Sequence, residues 1–338
     1  MLPPKGIYLP MLILPDRSVG KVVINAVMKA FLLYEAGGPD KLVPGEAPKP
    51  TLKKGEVLVK VKAIGINPAD TIYRNSSAFI TALFGEERPV ILGWDISGEI
   101  VEKTEDSGEF AVGDAVFALL PAARGYAEFV AVNAGLLARK PENISFEEAA
   151  ATPMACLTAW QPLIRGMKIK KGDKVLIHAA SGGVGHFAVQ IAKYLGAEVM
   201  ATSSAKNRDF VISLGADKHI DYRNEDFWEV IKDIDFVLDT VGGETLEHSI
   251  DVVNPGGTII SILGLTNERL KSKAKEKGVN LSLWGMQGNG EDLRAVADLM
   301  SKGIIKVHIA KEYPFSAMAE AHTQVETRRT AGKIVLTV

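Results

Sequence analysis

The sequence predicts an α/β protein built from two parts. After about residue 152, short apolar strands alternate with helical periods, a pattern typical of a doubly wound, mostly parallel sheet. Before about residue 150, short segments rich in Val, Ile and Phe are separated by Gly and Pro, which indicates a β-rich, barrel-like unit. A chain of 338 residues is also long for a single hydrophobic core.

The first part starts near Met28 and contains four candidate strands. These are Val57–Ile66, Ile96–Glu102, Ala115–Ala118 and Ala127–Val132. Residues 1–27 read as an N-terminal extension, because Pro10 interrupts their apolar run and no small-residue cleavage site follows it. We therefore expect neither a secretory signal nor a transit peptide there.

The second part contains six candidate strands, most of them separated by helical periods such as Glu291–Lys302. The strands are Val175–His178, Val199–Thr202, His219–Asp221, Phe236–Asp239, Thr258–Ile262 and Leu281–Trp284. The tail Lys333–Val338 has the pattern of a further strand, which we expect to return to the first part.

The most informative segment joins the first of these six strands to an amphipathic helix over His186–Leu195. In the register of a GxGxxG motif, Ala180 holds the first position, and Gly182 and Gly185 hold the other two. Small residues there let the backbone approach a dinucleotide pyrophosphate, and the N–H groups at the helix N-terminus face its negative charge. We expect cofactor contacts from all six residues of the turn, which are Ala180, Ser181, Gly182, Gly183, Val184 and Gly185. The predicted domains are then a Rossmann unit over 153–309 and a first domain over 28–152 that residues 310–338 complete.

The tip of the second strand indicates which dinucleotide binds. An Asp or Glu about 20 residues after the glycines would bond the ribose 2′-hydroxyl and select NAD. The tip here holds no carboxylate before Asp209. Its hydroxyls and cations suit a 2′-phosphate, so we expect NADPH, with contacts from Ser203, Ser204 and Lys206. The alternative is that Ser204 caps the following helix and the cations are solvated.

Composition excludes several classes of function. A net charge of −2 without a clustered basic stripe argues against a nucleic-acid partner. The single cysteine, Cys156, excludes an intramolecular disulfide framework and suits a reducing compartment. No apolar run approaches the roughly 18 residues that span a membrane, so we expect a cytoplasmic protein. The basic run Arg269–Lys277 reads as a solvated face rather than a partner site.

Motifs spread over residues 28–338 carry a family resemblance. They are Met28-Lys29-Ala30, Gly65-Ile66-Asn67-Pro68-Ala69-Asp70, Gly93-Trp94-Asp95-Ile96-Ser97-Gly98, Leu157-Thr158-Ala159, the Ala179–Gly185 turn, Leu214-Gly215-Ala216-Asp217, Ile220-Asp221-Tyr222 and Gly332-Lys333-Ile334-Val335-Leu336. In this combination the chain resembles the quinone oxidoreductase-like proteins, the zinc-independent branch of the medium-chain dehydrogenase/reductase superfamily. The resemblance implies a GroES-like first domain and a possible homodimer.

The resemblance also implies the absence of a metal. Zinc-dependent members carry a Cys and a His-Glu pair where this chain has Asn67 and Trp94-Asp95, and the six histidines show no ligand spacing. A conjugated acceptor suits such a site, because a quinone or an α,β-unsaturated carbonyl delocalises the charge that a hydride brings. We therefore expect hydride transfer from NADPH to such an acceptor. Two alternatives stay open: an enoyl-thioester reductase, and a non-catalytic NADPH-binding redox sensor.

Candidate catalytic residues lie in the segment that begins at Asn67. In similar proteins this segment borders the nicotinamide and substrate pocket, which makes Asn67, Asp70 and Tyr73 the catalytic candidates, with Tyr73 as proton donor. Asn67 is also a cofactor contact candidate. The alternative needs no chemistry, because Asn67, Pro68 and Asp70 also form a good helix-capping arrangement.

Further cofactor contacts are expected around the carboxyl ends of the strands, where open α/β sheets bind ligands. The candidates there are Tyr222, Gly242, Leu263 and Gly264. The resemblance adds Thr158 as a contact at the nicotinamide end, and we expect Lys333 to reach the cofactor from the tail. Each has a structural alternative: a packed helix residue for Thr158, a half-buried ring for Tyr222, turn positions for Gly242, Leu263 and Gly264, and an exposed strand lysine for Lys333.

Overall fold

The structure, a computed structural model, describes residues 26–264 and 267–338. Most of the extension expected over residues 1–27 lies outside the described residues, and the first strand begins at Val27. The strands are β1 (Val27–Leu33), β2 (Leu42–Pro48), β3 (Glu56–Ile66), β4 (Asp95–Lys103), β5 (Ala115–Leu119), β6 (Phe129–Asn133), β7 (Leu137–Arg139), β8 (Lys174–Ile177), β9 (Glu198–Ser203), β10 (Lys218–Asp221), β11 (Ile234–Asp239), β12 (Val253–Ser261), β13 (Asn280–Leu283), β14 (Ile309–Pro314) and β15 (Lys333–Thr337). The α-helices are α1 (Pro68–Arg74), α2 (Ser77–Phe84), α3 (Phe146–Ala151), α4 (Pro153–Gln161), α5 (Gly185–Tyr194), α6 (Arg208–Ser213), α7 (Phe227–Val230), α8 (Gly243–Val252), α9 (Glu268–Glu276), α10 (Gly290–Ser301) and α11 (Met318–Glu326).

The later part of the chain forms a parallel sheet in the order β10-β9-β8-β11-β12-β13. This is the doubly wound order of a Rossmann unit, so the predicted fold class is confirmed. The main difference in bounds is β12, which begins at Val253 rather than at Thr258. Both faces of the sheet are covered, since Val175 and Ile177 pack into one apolar cluster and Leu176 into another.

The earlier part forms a second sheet in the order β14-β15-β3-β4-β5-β7, with β6 also paired to β3 and β1 paired to β2 in a separate hairpin. The predicted return of the tail is confirmed, because β15 runs antiparallel to β3 with Ile334 opposite Ile66. β14, which the sequence patterns did not single out, lies parallel to β15. The domain limits at 152/153 and 309/310 stay predictions.

Three chain segments from the two sheets come together at the candidate functional site. The carboxyl end of β8 leads into the glycine-rich turn, the end of β3 leads into α1 at Asn67, and β15 begins at Lys333. The contacts among these segments define the candidate site.

Candidate functional site

The glycine-rich turn is tightly built. Ala179 adopts a left-handed backbone with φ of 47°, which a residue with a side chain adopts only under the constraint of its surroundings. A Cβ at Gly185 would lie 2.3 Å from the carbonyl oxygen of Ala179, and one at Gly182 would lie 3.2 Å from it. Glycine at the third motif position is therefore required by close packing within the turn. Ala180, in the first position, is fully buried and donates its N–H to the Thr202 carbonyl at 2.9 Å.

The turn leaves backbone donors available at the start of α5. No residue in the described ranges accepts a hydrogen bond from the backbone N–H of Gly183, Val184 or Gly185. These groups begin a ten-residue helix, whose N-terminus carries a partial positive charge. The local structure therefore offers what a pyrophosphate requires.

The buried His178 links the glycine-rich turn to α8 through a chain of hydrogen bonds. The Ser249 hydroxyl donates to the Thr245 carbonyl at 2.6 Å and so accepts from His178 Nε2 at 2.9 Å. His178 Nδ1 then accepts from the Thr202 hydroxyl at 3.0 Å, and Thr202 accepts the Ala179 N–H at 3.3 Å. Burial lowers the pKa of His178 to about 4, which keeps this ring neutral at physiological pH.

The residues predicted to bind the 2′-phosphate at the tip of β9 differ in their exposure. The Ser203 hydroxyl is buried and bonded to His219 Nε2 at 2.8 Å, so in this structure it is not presented to a ligand. Ser204 is 6% exposed, and its hydroxyl makes no hydrogen bond to the backbone of the following turn, contrary to the capping alternative. Lys206 is exposed, and the Tyr222 ring is 57% exposed beside the Arg223 guanidinium.

The carboxylate nearest this tip is already engaged. Asp221, at the end of β10, accepts from the backbone N–H groups of Ala205 and Arg223 and from the Asn224 amide. Asn207 links the tip to the turn, since its amide donates to the Ser181 hydroxyl at 2.9 Å. The exposed charges around the tip include three cations, on Lys206, Arg208 and Arg223, besides the carboxylates of Asp209 and Glu225.

Asn67 begins α1 as predicted. Its backbone N–H donates to Asp70 Oδ2 at 2.7 Å, and Pro68 occupies the first helical position. Its side chain is bonded at both ends: Nδ2 donates one hydrogen to Asp95 Oδ2 at 2.9 Å, while Oδ1 accepts from Lys333 Nζ. Asn67 is 3% exposed and lies at the centre of a buried polar network.

Asp70 is fully buried, so direct action on a substrate does not fit its position, and the capping role does. Burial raises the pKa of Asp70 to about 7 and that of Asp95 to about 6, against the opposing effects of Lys333 and of their hydrogen bonds. Asp70 Oδ1 is buried without a hydrogen-bond partner among the described residues. The cluster therefore holds two carboxyl groups that bind protons more tightly than usual.

Lys333 connects this network to the glycine-rich turn. It is 3% exposed rather than a solvated strand lysine, and Nζ also donates to the Ile66 carbonyl at 3.1 Å. Its Cδ lies 3.3 Å from where a Gly183 Cβ would be, and the neighbouring Gly332 N–H donates to the Ser181 carbonyl at 2.8 Å. The candidate cofactor turn and Asn67 are thus two sides of one junction.

Thr158 and Tyr73 lie on α4 and α1, the two helices that Asp95 connects. Thr158 is half-buried on α4 and donates to the Met154 carbonyl at 2.7 Å, while the Met154 N–H donates to Asp95 Oδ1 at 2.9 Å. Tyr73 is half-buried, with ring centroids 4.8 Å from Trp94 and 5.4 Å from Phe79.

The loops after β11 and β12 contain three of the predicted cofactor contacts, and the loop after β11 is held by hydrogen bonds to Asp239, the last residue of that strand. Gly242 is buried with φ of 76°, and its N–H donates to Asp239 Oδ1 at 2.8 Å. Asp239 Oδ2 is buried with no hydrogen-bond partner in the described part of the chain. Leu263 and Gly264 are exposed, and Gly264 has φ of 69°.

Sequence reasoning missed a second buried network behind α1. The Arg74 guanidinium is fully buried and contacts His322 Nδ1 at 2.9 Å and Glu326, while His322 Nε2 lies 2.9 Å from the Tyr126 hydroxyl. Burial and the nearby Arg74 charge lower the pKa of His322 to about 3. Arg74 lies six residues after Pro68, and no local signal indicated that its charge would be buried.

Metal-ligating clusters, the single cysteine, the basic run 269–277 and membrane-spanning helices can each be checked in the structure. No cluster of three metal-ligating side chains occurs within residues 26–264 and 267–338. Cys156 is buried, and burial raises the pKa of its thiol, so it belongs to the core. Three cations of the run 269–277 contact acids of α8, since Lys273 and Lys277 contact Asp251 and Arg269 contacts Glu247. None of the described helices has the length and apolarity to cross a bilayer.

Comparison with known proteins places the chain in a family. Residues 214–336 match the family described as zinc-binding dehydrogenase, and residues 53–142 match the alcohol dehydrogenase GroES-like domain. The chain is 31% identical to a mitochondrial NAD(P)H oxidoreductase of Danio rerio, over 93% of this chain and 92% of that protein. It is 30% identical to the chloroplastic NADPH-dependent alkenal/one oxidoreductase of Arabidopsis thaliana, over 91% and 79% of the two chains.

A solved structure extends the likeness to three dimensions. The quinone oxidoreductase from Coxiella burnetii is 36% identical and superposes with a TM-score of 0.86, covering 93% of this chain and all of that one (100%). The predicted resemblance is confirmed by these matches together with the GroES-like and Rossmann-like sheets. The chain belongs to the medium-chain dehydrogenase/reductase superfamily, and its homologues and structural neighbours include quinone oxidoreductase-like proteins.

Proposed function

We propose that this protein is an NADPH-dependent reductase that transfers a hydride to a quinone or an α,β-unsaturated carbonyl compound, without a metal. The broader assignment, an NAD(P)H oxidoreductase of the superfamily, has the support of the relatives described above. The observation that carries the finer proposal is the junction of the glycine-rich turn with Asn67 through Lys333. It brings the candidate cofactor turn beside the candidate substrate pocket.

The turn fits a dinucleotide pyrophosphate. The N–H groups of Gly183, Val184 and Gly185 would hold the phosphates, and the close packing around Gly185 keeps them in position. Ser204 and Lys206 would hold the 2′-phosphate at the β9 tip, where the engaged Asp221 offers no free carboxylate oxygen for ribose hydroxyls. Tyr222, Gly242, Leu263 and Gly264 stay proposed contacts along the same edge, whereas the Ser203 hydroxyl is turned inward to His219.

The reaction needs a hydride, a proton and stabilisation of negative charge on the acceptor. The nicotinamide ring, when bound, supplies the hydride. On the protein side, one Nδ2 hydrogen of Asn67 is bonded to Asp95, and the other has no acceptor among the described residues. This N–H would stabilise an enolate or quinol oxygen, and the Tyr73 hydroxyl would supply the proton.

The acceptor pocket would be walled by aromatic rings. Tyr73 packs between Trp94 and Phe79, and Phe79 is 47% exposed. Flat aromatic surfaces favour a planar, conjugated molecule over a flexible alkyl chain. Asn67 and Trp94 occupy the positions where zinc-dependent relatives carry metal ligands, and neither is a common metal ligand.

A binding titration followed by turnover tests the proposal. NADPH should bind with enhanced fluorescence and be consumed when a panel of quinones, alkenals and enones is added. NADH should bind at least about 10-fold more weakly, because the 2′-phosphate contacts are charge-assisted. Lys206→Ala should reduce that preference, while Lys54→Ala, at a lysine whose side chain is 84% exposed and remote from the tip in sequence, should not.

The alternatives predict other outcomes of the same assay. A non-catalytic sensor would bind NADPH and consume none with any acceptor, whereas an enoyl-thioester reductase would consume NADPH only when an enoyl thioester is added to the panel. A cytoplasmic location and a homodimer stay predictions, since the two curated relatives are named for the mitochondrion and the chloroplast.

A further inference from the structure

Lys333 is a buried cation with neutral hydrogen-bond partners. Its ammonium donates to the side-chain oxygen of Asn67 and, at 3.1 Å, to the carbonyl of Ile66. Burial lowers the pKa of this ammonium, and the charges of Asp95 and Asp70 act against that effect, although neither carboxyl group is hydrogen-bonded to Nζ. A buried lysine is expensive to desolvate, so a role for its charge is expected.

The position of that charge determines which way the Asn67 amide faces. The two ends of a carboxamide have nearly the same shape, so packing alone does not distinguish them. An ammonium group accepts no hydrogen bond, and so it requires the oxygen of Asn67 on its own side. Asp95 requires the nitrogen on the opposite side, at 2.9 Å. The two charged groups together hold the amide in one orientation.

We propose that Lys333 is a positioning residue for the reaction: its ammonium orients the Asn67 amide so that the unpaired N–H faces the acceptor pocket. This inference rests on the proposed function. It differs from the sequence-based expectation that Lys333 itself contacts the cofactor, which stays a prediction, because the ammonium acts here through its bond to Asn67.

The same residue couples Asn67 to the glycine-rich turn. The aliphatic stem of Lys333 packs on Gly183, and its backbone N–H donates to the His308 carbonyl at 2.8 Å. A methionine at this position would keep the stem contact and remove only the ammonium. Lys333→Met therefore separates the orienting role of the charge from the packing role of the stem.

The test compares Lys333→Met with Lys311→Met, a matched change at an exposed lysine of β14. Lys333→Met should bind NADPH within about threefold of the unchanged protein while turnover of the quinone falls by about 10-fold to 100-fold, a loss typical of a misplaced catalytic group. Lys311→Met should leave both unchanged. Equal losses of NADPH affinity and of turnover would instead identify Lys333 as a cofactor ligand and overturn the proposal.

A double-mutant cycle shows whether Lys333 acts through Asn67. In an Asn67→Ala background there is no amide to orient, so Lys333→Met should lower turnover by less than about twofold further. Full additivity of the two losses would contradict the proposal. If Lys333→Met does not fold, Lys333→Gln replaces it in the cycle, because glutamine retains a hydrogen-bond donor but no charge.

A readout independent of activity keeps the inference separate from the proposed function. In protein labelled with nitrogen-15 asparagine, the Asn67 amide signal is identified by its loss in Asn67→Ala. Its two hydrogens should exchange slowly with solvent in the unchanged protein and at least about 10-fold faster in Lys333→Met, since local opening governs exchange. Equal exchange rates would overturn the orienting role, whereas an unchanged protein that consumes no NADPH would contradict only the proposed function.

Discussion

Asn67 and Asp95 are joined by a buried hydrogen bond of 2.9 Å between the side-chain amide and the carboxylate. The other oxygen of Asp95 accepts the Met154 N–H at 2.9 Å, so one carboxylate connects the start of α1 to the first turn of α4. Both residues are nearly or fully buried. The bond ties the predicted site residues Asn67 and Thr158 to one rigid support.

Asp95→Asn should damage both stability and activity. Only one of the two oxygens is retained, so the new NH2 group faces either the Asn67 amide or the Met154 N–H and leaves donors unpaired. We expect a loss of about 2–4 kcal/mol in the free energy of unfolding, measured by urea titration. Asp106→Asn is the matched control, because its exposed pair with Lys54 at 3.7 Å should contribute less than about 1 kcal/mol. A loss no larger than the control's would contradict the assigned role.

Gly185→Ala should disrupt the turn. The added Cβ would lie 2.3 Å from the Ala179 carbonyl oxygen, and that backbone cannot move without displacing the strand before it. We expect a destabilisation of about 2 kcal/mol or more and at least about a 10-fold loss of NADPH affinity. In Gly285→Ala the new methyl group would have no atom within 4 Å among the described residues other than its chain neighbours, so the variant should change neither quantity. Unchanged affinity in Gly185→Ala would show that the turn does not hold the cofactor.

Thr202→Val should destabilise the glycine-rich turn by removing hydrogen bonds that support it. The variant keeps the shape of the side chain but removes the hydroxyl that bonds His178 Nδ1 and accepts the Ala179 N–H. The two unpaired buried groups should cost about 1–3 kcal/mol, measured by thermal or urea unfolding. Thr323→Val, on an exposed position of α11, is the control and should stay within about 0.5 kcal/mol.

The sheets could be predicted from the sequence because their strands carry local patterns. Alternating strand and helix periods after residue 152 predicted the parallel sheet, and the apolar tail predicted β15. The cap of α1 was equally local, since Asn67 and Asp70 lie three residues apart.

The partners of the buried charges could not be predicted in this way. Lys333 and Asn67 are 266 positions apart, and Arg74 and His322 are 248 apart, so no periodicity relates them. Ser203 illustrates a second limit. Because β9 is covered on both faces, alternation does not show that its hydroxyl turns inward to His219.

The stability should rise with pH by about 1 kcal/mol per pH unit between about pH 5 and 6, because the three buried histidines that take up protons on unfolding outweigh the two buried carboxyl groups that release them. His178, His186 and His322 have pKa values lowered to about 4, 4 and 3, so they take up protons on unfolding, and their stabilisation is lost as the pH falls below 6.5. Asp70 and Asp95 have raised pKa values of about 7 and 6, so they release protons on unfolding, and their stabilisation is lost as the pH rises.

Asp70→Asn separates the two sets. The variant removes about one proton released on unfolding near pH 5.5, so the slope of unfolding free energy against pH should become more positive by about 1.4 kcal/mol per pH unit. Urea titrations across this pH range measure the slope. Asp106→Asn, an exposed change, should leave it unaltered. An unaltered slope in Asp70→Asn would mean that Asp70 is ionised in the folded protein throughout this range.

The central claim is that this site passes a hydride from NADPH to a conjugated acceptor. Turnover with NADPH deuterated at the transferring position of the nicotinamide, followed by mass spectrometry of the reduced enone, measures this directly. We expect one deuterium on carbon in the product, and far less deuterated product when Lys333→Met replaces the unchanged protein. Reduced product without deuterium, or a deuterated cofactor that is never consumed with any acceptor of the panel, would contradict it.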